Sequence, residues 1–307
     1  MLDIYLAQPR GFCAGVDRAI SIVEKAINKF GAPIYVRHEI VHNKFVVEQL
    51  KAKGAIFVNE IDEIPENSIV IFSAHGVSKN VEISALDHKL KILDATCPLV
   101  TKVHLEAQSH EKKGKQIILI GHAGHPEVEG TSGRVNTKVT LVSNIEDVDN
   151  LHFDTVENLA YVTQTTLSVD DTKNIINKLK TRFPSITGPD LKDICYATQN
   201  RQNAVKEIVK LVDLLLVIGA DNSSNSNRLR DIGTEMNKPA YLINNSQDIN
   251  LNWFNNINKV GITAGASAPE ELVQEVIGFI QNNFATKIHN IEVTTENIRF
   301  NLPLELR

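Results

Sequence analysis

The chain has 307 residues, with 32 basic and 37 acidic side chains and a formal net charge of −5. A net negative charge without a long basic run argues against a nucleic-acid-binding protein. The apolar content of 42% and the charged content of 22% are ordinary for a soluble globular protein. Met1–Tyr5 lacks the pattern of a signal peptide, and the longest apolar run, Leu214–Ala220, is too short to span a bilayer. We therefore expect a cytoplasmic protein with no nucleic-acid or membrane partner.

The three cysteines share one position in the sequence pattern. Cys13, Cys97 and Cys195 each follow a predicted strand end and precede a helical pattern. The helical patterns are Val16–Phe30, Leu99–His110 and Arg201–Val212. Open α/β sheets place their ligands at the carboxyl ends of strands. An odd number of cysteines in a chain of this kind argues against disulfides and favours thiolate chemistry or metal binding.

Alignment of the chain on its cysteines shows a repeat of roughly 90 residues, which is too long for a solenoid repeat. Strands alternate with helices in each repeat, and this alternation predicts βαβ units with mostly parallel sheets. Right-handed crossovers place the loops at the strand carboxyl ends on one side of each lobe. We predict an α/β fold of three similar lobes, arranged as a pseudo-threefold trefoil whose loops converge on one centre.

The predicted domain boundaries follow the cysteines. Residues 13–96 form the first lobe, 97–192 the second, and 193–284 together with 1–12 the third. The opening strand is assigned to the third lobe because the first lobe already has its own strands. Residues 285–307 have no helical period and are predicted to be an extended tail that packs back on the surface.

Three thiolates at equivalent positions predict a site for a soft metal. Free cysteine is often a small buried hydrophobe, but core cysteines would have no reason to share a position in a repeat. A catalytic zinc ion with three protein ligands is one possibility. A [4Fe–4S] cluster normally takes four thiolates, and three would leave one iron open to a substrate. The long separations, and the absence of the CxxC spacing of structural zinc sites, favour the iron–sulfur cluster.

Polar loops follow the other predicted strands. Histidine supplies a charge and a hydrogen-bond donor that can be tuned near neutral pH, while serine and asparagine supply neutral donors. Loops that open helices at strand ends bind anions, so these groups together suit a diphosphate. No Walker-type loop with its lysine occurs, which argues against nucleotide hydrolysis. The candidate residues are His42, His75, His125, Ser223, Ser224, Asn225 and Ser267.

A single glutamate stands out as a candidate acid. Glu127 lies in a Gly-rich loop, where alone it would be an ordinary acid of a first helical turn. Opposite an open iron, a carboxylic acid would carry protons. Thr165 and Thr166 could relay that proton or bond a substrate hydroxyl. The charged residues that flank Cys13 are interpreted as a structural ion-pair set: Arg10, Asp17 and Arg18.

Eight motifs, taken in order, resemble the family of 4-hydroxy-3-methylbut-2-enyl diphosphate reductases, which carry out the last step of the methylerythritol phosphate route to isoprenoids. The resemblance extends from about residue 4 to Arg307, and so many long motifs in order make it specific. The motifs are Pro9–Ala19, Val36–Asn43, Phe72–Gly76, Asp94–Val100, Gly121–Gly130, Thr163–Ser168, Asn222–Asn227 and Thr263–Pro269.

This resemblance implies a trefoil around a [4Fe–4S] cluster held by Cys13, Cys97 and Cys195. It implies loss of the allylic hydroxyl of the diphosphate substrate, with two electrons and two protons, to give isopentenyl diphosphate and dimethylallyl diphosphate. The substrate hydroxyl would bind the open iron, and Glu127 with Thr165 would deliver the proton. Electrons would come from a ferredoxin- or flavodoxin-type partner. The residues that would hold the diphosphate are His42, His75, His125, Ser223, Ser224, Asn225 and Ser267, and Thr165 would also contact the substrate.

Two other classes of function remain open from the residues alone. A non-catalytic iron–sulfur sensor or carrier would explain the cysteines, but it would leave the loops rich in His, Ser and Asn without a role. A zinc hydrolase would also use three protein ligands, and it would need neither a low potential nor handling without oxygen.

Overall fold

The computed structural model describes residues 1–307 and contains twelve strands and ten α-helices. The strands are β1 (Leu2–Gln8), β2 (Ile34–Arg37), β3 (Ala55–Val58), β4 (Ile69–Phe72), β5 (Lys91–Asp94), β6 (Gln116–Ile120), β7 (Val139–Val142), β8 (Leu159–Thr163), β9 (Leu214–Ile218), β10 (Ala240–Ile243), β11 (Lys259–Ala264) and β12 (Thr286–Glu292). The helices are α1 (Ala14–Phe30), α2 (Lys44–Ala52), α3 (Lys79–Asp87), α4 (Pro98–Lys112), α5 (Pro126–Ser132), α6 (Ile145–Asp149), α7 (Val169–Arg182), α8 (Tyr196–Val209), α9 (Ser224–Glu235) and α10 (Glu270–Asn283).

The strands form three sheets, and every paired strand in them is parallel to its neighbour. The sheet orders are β3-β2-β4-β5, β7-β6-β8 and β10-β9-β11-β1-β12. In each sheet, the first strand after a cysteine-linked helix lies between the next two strands of the chain. The predicted α/β class, the parallel sheets and the threefold repetition of the pattern are therefore confirmed.

The central strands are continuous apolar runs because both faces of their sheets are covered. In β9, Leu214, Leu216 and Ile218 pack into one hydrophobic cluster, and Leu215 and Val217 pack into another on the opposite face. Alternate residues of a strand point to opposite faces, so a strand covered on both sides has no polar positions. Each large aliphatic side chain buried in this way contributes about 1.5–3 kcal/mol to stability.

The carboxyl-terminal tail begins with a regular strand. Thr286–Glu292 forms β12 and pairs along the whole of β1, with Ile4 opposite Ile288. The sequence predicts an extended segment here, and the structure adds its pairing with β1. The strand lies at a sheet edge and is largely exposed, so backbone pairing holds it without an apolar pattern that the sequence could reveal.

One predicted strand is corrected. β1 precedes Cys13 and β5 precedes Cys97, but Cys195 follows only an isolated bridge between Thr187 and Ala160. Asp190, just after this bridge, has a φ of 57°, which is incompatible with a strand. The helix after Cys195 also begins earlier than predicted, at the next residue, Tyr196.

The chain forms two compact units. The first contains Met1–Val16, His42–Val46 and Tyr196–Arg299, and it carries the five-stranded sheet. The second contains Asp17–Val41, Val47–Cys195 and Phe300–Arg307, and it carries the other two sheets. No helix combines the length and the apolar composition needed to cross a membrane.

Candidate functional site

In the first unit, the loop of Cys13 is held by the loop that follows β11. The backbone N–H groups of Gly11 and Cys13 donate to the carbonyls of Ala264 and Ala266, at 3.1 and 3.2 Å. Burial raises the pKa of the Cys13 thiol, and the nearby Arg201 guanidinium opposes that shift. The loop therefore has a defined backbone path around Cys13.

The amino terminus of α9 carries three of the predicted polar residues. Ser223 caps the helix, and its Oγ accepts hydrogen bonds from the N–H and the hydroxyl of Ser226, at 3.3 and 3.0 Å. Ser224 is the first helical residue and is half-buried. Asn225 is only 4% exposed, and its Oδ1 accepts from the N–H of Ala266 at 3.0 Å. The Asn225 Nδ2 amide is buried and has no hydrogen-bond partner, so it has a donor to offer a bound acceptor.

Ser267 connects two segments of the first unit that are distant in sequence. Its Oγ donates to the carbonyl of His42 at 2.9 Å. A Cβ on Gly265 or on Gly219 would lie 2.0 or 2.1 Å from the Oγ of Ser226, so both positions require glycine. The structure thus brings His42, Asn225 and Ser267 together through one loop, the same loop that binds the backbone of Cys13.

In the second unit, Glu127 and Thr165 form a buried pair. The Thr165 N–H donates to Glu127 Oε1 at 2.6 Å, and the Thr165 hydroxyl donates to Oε2 at 2.9 Å. Both side chains are almost completely buried, with exposures of 2% and 4%. The sequence did not predict this contact directly, although it singled out both residues.

Burial raises the pKa of Glu127 to about 7. The two hydrogen bonds from Thr165 lower this pKa, and the negative charge of Asp193 raises it, but removal of the carboxyl from water is the dominant cause. At neutral pH, a substantial fraction of carboxyls with this pKa is protonated. Glu127 can therefore donate its proton under conditions where ordinary glutamates are ionised.

His125 and His75 lie beside each other in the second unit. Their rings meet edge to face, with centroids 5.8 Å apart. The Nδ1 of His125 accepts the backbone N–H of Glu127 at 3.1 Å, so the neutral ring carries its proton on Nε2. The Nδ1 of His75 lies 3.3 Å from the hydroxyl of Ser73. His125 consequently presents Nε2 as a hydrogen-bond donor.

Each of the other two cysteines is held through its backbone to a neighbouring loop of the second unit. The Cys97 N–H donates to the carbonyl of Ala74, next to His75, at 3.0 Å. The Cys195 N–H donates to the carbonyl of Thr165 at 3.0 Å. None of the three cysteines forms a disulfide, and all three are half-buried. No three His, Cys, Asp or Glu side chains are drawn together as the ligands of a metal ion.

Basic residues also hold the cysteine loops, and two of them, Lys102 and Arg201, are not apparent from the sequence motifs. Arg201 is fully buried, and it occupies a position on the same helical face as Ala197, Ala204 and Val205. An arginine in an apolar stripe is a signal that the sequence contained. Arg18 was interpreted as part of an ion-pair set, but it donates to backbone carbonyls instead. Arg10 does form an ion pair, with Glu270 at 2.7 Å.

An α/β protein whose loops carry three cysteines outside disulfides, together with a buried acid, has the features of a redox enzyme. A family model described as LytB protein matches residues 4–281, and the chain belongs to this family. It is an enzyme of the oxidoreductase class.

Several known proteins are similar to this chain over nearly its whole length. It is 57% identical over 305 residues to 4-hydroxy-3-methylbut-2-enyl diphosphate reductase 2 of Bradyrhizobium diazoefficiens, covering 99% of each chain. It is 56% identical over 306 residues to the 4-hydroxy-3-methylbut-2-enyl diphosphate reductase of Ruthia magnifica, covering 100% of each. The solved structure of E-1-hydroxy-2-methyl-but-2-enyl-4-diphosphate reductase from Plasmodium falciparum matches with a TM-score of 0.95 and 40% identity, over 99% of this chain and 96% of that one.

Proposed function

We propose that this enzyme removes the allylic hydroxyl of 4-hydroxy-3-methylbut-2-enyl diphosphate as water, with two electrons and two protons, and releases isopentenyl diphosphate and dimethylallyl diphosphate. Membership of the LytB family and the similarity to reductases of that name over the whole chain support this reaction. The observation that carries the proposal is the buried Glu127–Thr165 pair, because it supplies a proton donor that works near neutral pH.

The proposed cofactor is a [4Fe–4S] cluster bound by Cys13, Cys97 and Cys195. The donor set fits this group, since these are the only cysteines, none forms a disulfide, and all lie on loops with fixed backbones. When bound, such a cluster supplies electrons one at a time and has one iron without a protein thiolate, which acts as a Lewis acid. Reduced thiols persist in the cytoplasm, which is the proposed location of the enzyme.

The proposed acid is Glu127, acting from its neutral form. The carboxyl donates its proton to the departing hydroxyl oxygen, and it becomes an ionised carboxylate that two hydrogen bonds from Thr165 already favour. Thr165 thereby holds the acid in one orientation before and after the transfer. Burial keeps bulk water from competing for the proton.

The proposed diphosphate site uses donors that are fixed before the substrate arrives. Asn225 offers its unpartnered buried Nδ2, and the neutral ring of His125 carries its proton on Nε2 because Nδ1 accepts a hydrogen bond. The helix α9 adds the partial positive charge of its amino terminus beside Ser223. Fixed donors lose little entropy on binding and keep the reacting end of the substrate in position. The other proposed diphosphate ligands are His42, His75, Ser224 and Ser267.

A ferredoxin- or flavodoxin-type protein is the proposed electron donor, because the reaction consumes two electrons and the chain carries no second redox group among its own residues. The reaction consumes two electrons and two protons, and it releases one water molecule. One of the two protons comes from Glu127 in this proposal.

The test of the function is a Mössbauer spectrum of iron-57-labelled enzyme, prepared without oxygen, together with a product assay under a low-potential reductant. We expect three similar sulfur-ligated iron sites and one distinct iron whose signal shifts when the substrate is added, with both diphosphate products formed. Four equivalent irons that ignore the substrate would indicate a carrier, and zinc in place of iron would indicate a hydrolase.

The diphosphate site has its own test. Substitution His42→Phe should raise the KM by about tenfold, because hydrogen bonds to charged groups contribute about 1.5–3 kcal/mol. The kcat should change much less, since the acid lies elsewhere in the chain. An unchanged KM for this variant would remove His42 from the diphosphate site.

A further inference from the structure

Three basic side chains outside the proposed machinery share one relation to the cysteines. Arg18 lies on α1, Lys102 on α4 and Arg201 on α8, and each occupies the second turn of the helix that follows a cysteine. Each of them donates hydrogen bonds to the segment in front of a different cysteine. In each case, the helix that follows one cysteine contacts the segment that precedes the next cysteine, and the helix after the last cysteine contacts the segment before the first.

Arg201, which follows Cys195, holds the segment in front of Cys13. Its Nε and Nη2 donate to the carbonyl of Gly11 at 3.1 and 2.7 Å, and Nη2 also donates to Phe12 at 3.2 Å. Its Nη1 donates to the carbonyl of Ala197 and to Glu296 Oε1, both at 3.0 Å. These acceptors use every N–H of a guanidinium that is 0% exposed.

Arg18, which follows Cys13, holds the segment in front of Cys97. Its Nη1 donates to the carbonyl of Thr96 at 3.1 Å, and its Nη2 donates to the carbonyl of Asp94 at 3.4 Å. Its Nε donates to the carbonyl of Asn301 at 2.9 Å. Thr96 precedes Cys97 directly, as Phe12 precedes Cys13, so the two arginines act on equivalent positions.

Lys102, which follows Cys97, holds the segment in front of Cys195. Its Nζ donates to the carbonyl of Lys192 at 2.9 Å and to Asp193 Oδ1 at 3.1 Å. The other oxygen of Asp193 accepts the N–H of Thr163 at 3.2 Å, and the Asp193 side chain is fully buried. Lys102 is half-exposed, and it donates fewer hydrogen bonds than either arginine.

The repetition of this contact at all three cysteines indicates a role in holding the thiolates rather than in the general stability of the fold. Burying a guanidinium costs several kcal/mol per ion, and apolar packing often stabilises a core equally well. A metal centre, in contrast, needs its ligands held within a fraction of an ångström, and the groups behind the ligands supply that rigidity. Three cationic groups that hold the segments preceding the three cysteines meet this need.

We propose that Arg18, Lys102 and Arg201 are positioning residues for the three thiolates, each fixing the loop in front of the next cysteine in the cyclic order Cys13, Cys97, Cys195. The inference rests on the proposed function, because it takes these thiolates as the ligands of the cluster. None of the three side chains is assigned contact with the substrate.

The proposal predicts which thiol each substitution releases. Arg18→Met should release Cys97, Lys102→Met should release Cys195, and Arg201→Lys should release Cys13. In every case the freed thiol belongs to the cysteine whose preceding segment the substituted residue contacts. The cysteine that directly precedes the substituted residue's own helix stays protected. Lysine is chosen at position 201 because it keeps the charge, but its three donors on a flexible stem cannot serve all the acceptors of the guanidinium.

The experiment uses the cluster-loaded enzyme without oxygen. Each variant is treated with an iron chelator, pulsed with iodoacetamide at intervals, and digested so that mass spectrometry reports the alkylation of each cysteine. We expect iron loss about tenfold faster than in the wild type for Arg201→Lys, the most buried of the three. The effect should be smaller for Arg18→Met and smallest for Lys102→Met.

Arg182→Lys is the matched control. Arg182 also donates to two backbone carbonyls of the second unit, those of Val148 and Leu151, and no cysteine neighbours either of them in sequence. This control should lower the Tm and leave iron loss and the order of alkylation as in the wild type. If Arg201→Lys does not accumulate, Glu296→Gln replaces it, since this change removes the counter-charge of Arg201, and Cys13 should again be the thiol released.

Two outcomes would overturn the proposal: equal alkylation of all three cysteines, or release of the cysteine that directly precedes the helix carrying the substitution. So would variants that match Arg182→Lys in both Tm and iron loss. The wild type is measured first for its cluster spectrum and turnover. Absence of both would count against the proposed function, whereas their presence with no selective release in the variants would count against the positioning residues alone.

Discussion

Two buried carboxyls at the end of β8 differ in the group that donates to their second oxygen. Glu127 and Asp193 are both 2% exposed, and each accepts a backbone N–H from this strand end, at Thr165 and Thr163. Glu127 has the neutral hydroxyl of Thr165 as its second donor, whereas Asp193 has the ammonium of Lys102. A buried carboxyl with neutral donors takes up a proton readily, and one beside a cation has its charge compensated. We therefore interpret Glu127 as a proton carrier and Asp193 as an anchor.

The largest expected effect is on turnover in Glu127→Gln. Loss of a general acid costs 10²–10⁴ in rate, so we expect kcat to fall by at least about 100-fold. The amide is nearly isosteric, so the cluster spectrum and substrate binding should stay as in the wild type. Steady-state kinetics with a chemical reductant measure the change. A rate close to that of the wild type would remove the proton role and, with it, the difference between the two carboxyls.

The second prediction concerns stability and pH. The pKa of Glu127 rises from 4.5 to about 7 on folding, so the folded state binds the proton more tightly than the unfolded state. The stability that this proton contributes is complete below pH 4.5 and is lost as the pH rises through 7. Relative to Glu127→Gln, the free energy of unfolding of the wild type should fall by up to about 3 kcal/mol over this range. Urea unfolding of metal-free protein at several pH values measures it, and parallel curves for the two proteins would contradict the shift.

Asp193→Asn should affect stability more than the acid, because the charge of Asp193 is the smallest of the influences on the pKa of Glu127. The substitution removes one ionic partner of a half-exposed lysine and keeps an acceptor for the Thr163 N–H, so we expect a loss of about 1 kcal/mol at pH 7. Denaturant unfolding measures this loss. If kcat fell as far as in Glu127→Gln while stability stayed unchanged, the roles assigned to the two carboxyls would be reversed.

The smallest expected effect sharpens the role of the neutral partner. Thr165→Val removes the hydroxyl donor and keeps the backbone N–H, and the hydrogen bonds of Thr165 lower the pKa of Glu127. The pKa of the acid should therefore rise, and the alkaline limb of the kcat profile should move up by less than about one pH unit. A shift of this limb to lower pH would contradict the assignment.

The sequence predicted the repeated α/β pattern well because its signals are local. The apolar runs of β6 and β9 fit strands buried on both faces, and helices do follow all three cysteines. The prediction failed before Cys195, where the segment contains a turn instead of a strand. The sequence also indicated no partner for the extended tail, because β12 is an edge strand without an apolar pattern.

The candidate site shows the same division. Glu127 and Thr165 were both singled out by their motifs, but nothing in the sequence showed that two donors of Thr165 reach the two oxygens of Glu127. Arg201 is not apparent from the sequence, since its acceptors Gly11 and Phe12 lie 190 and 189 residues away along the chain. Contacts of this kind depend on backbone positions that many distant residues determine together.

The sequence by itself determined the class of fold, the three cysteines and the residue types of the polar loops, because hydrophobic periodicity and motif spacing are properties of the linear chain. Only the tertiary structure decided which groups are buried and which are partners. Burial and partners set the protonation of Glu127, the free donor of Asn225 and the positions of Arg18, Lys102 and Arg201. These properties arise from removal of water and from hydrogen bonds across long sequence separations, which exist only once the chain has folded.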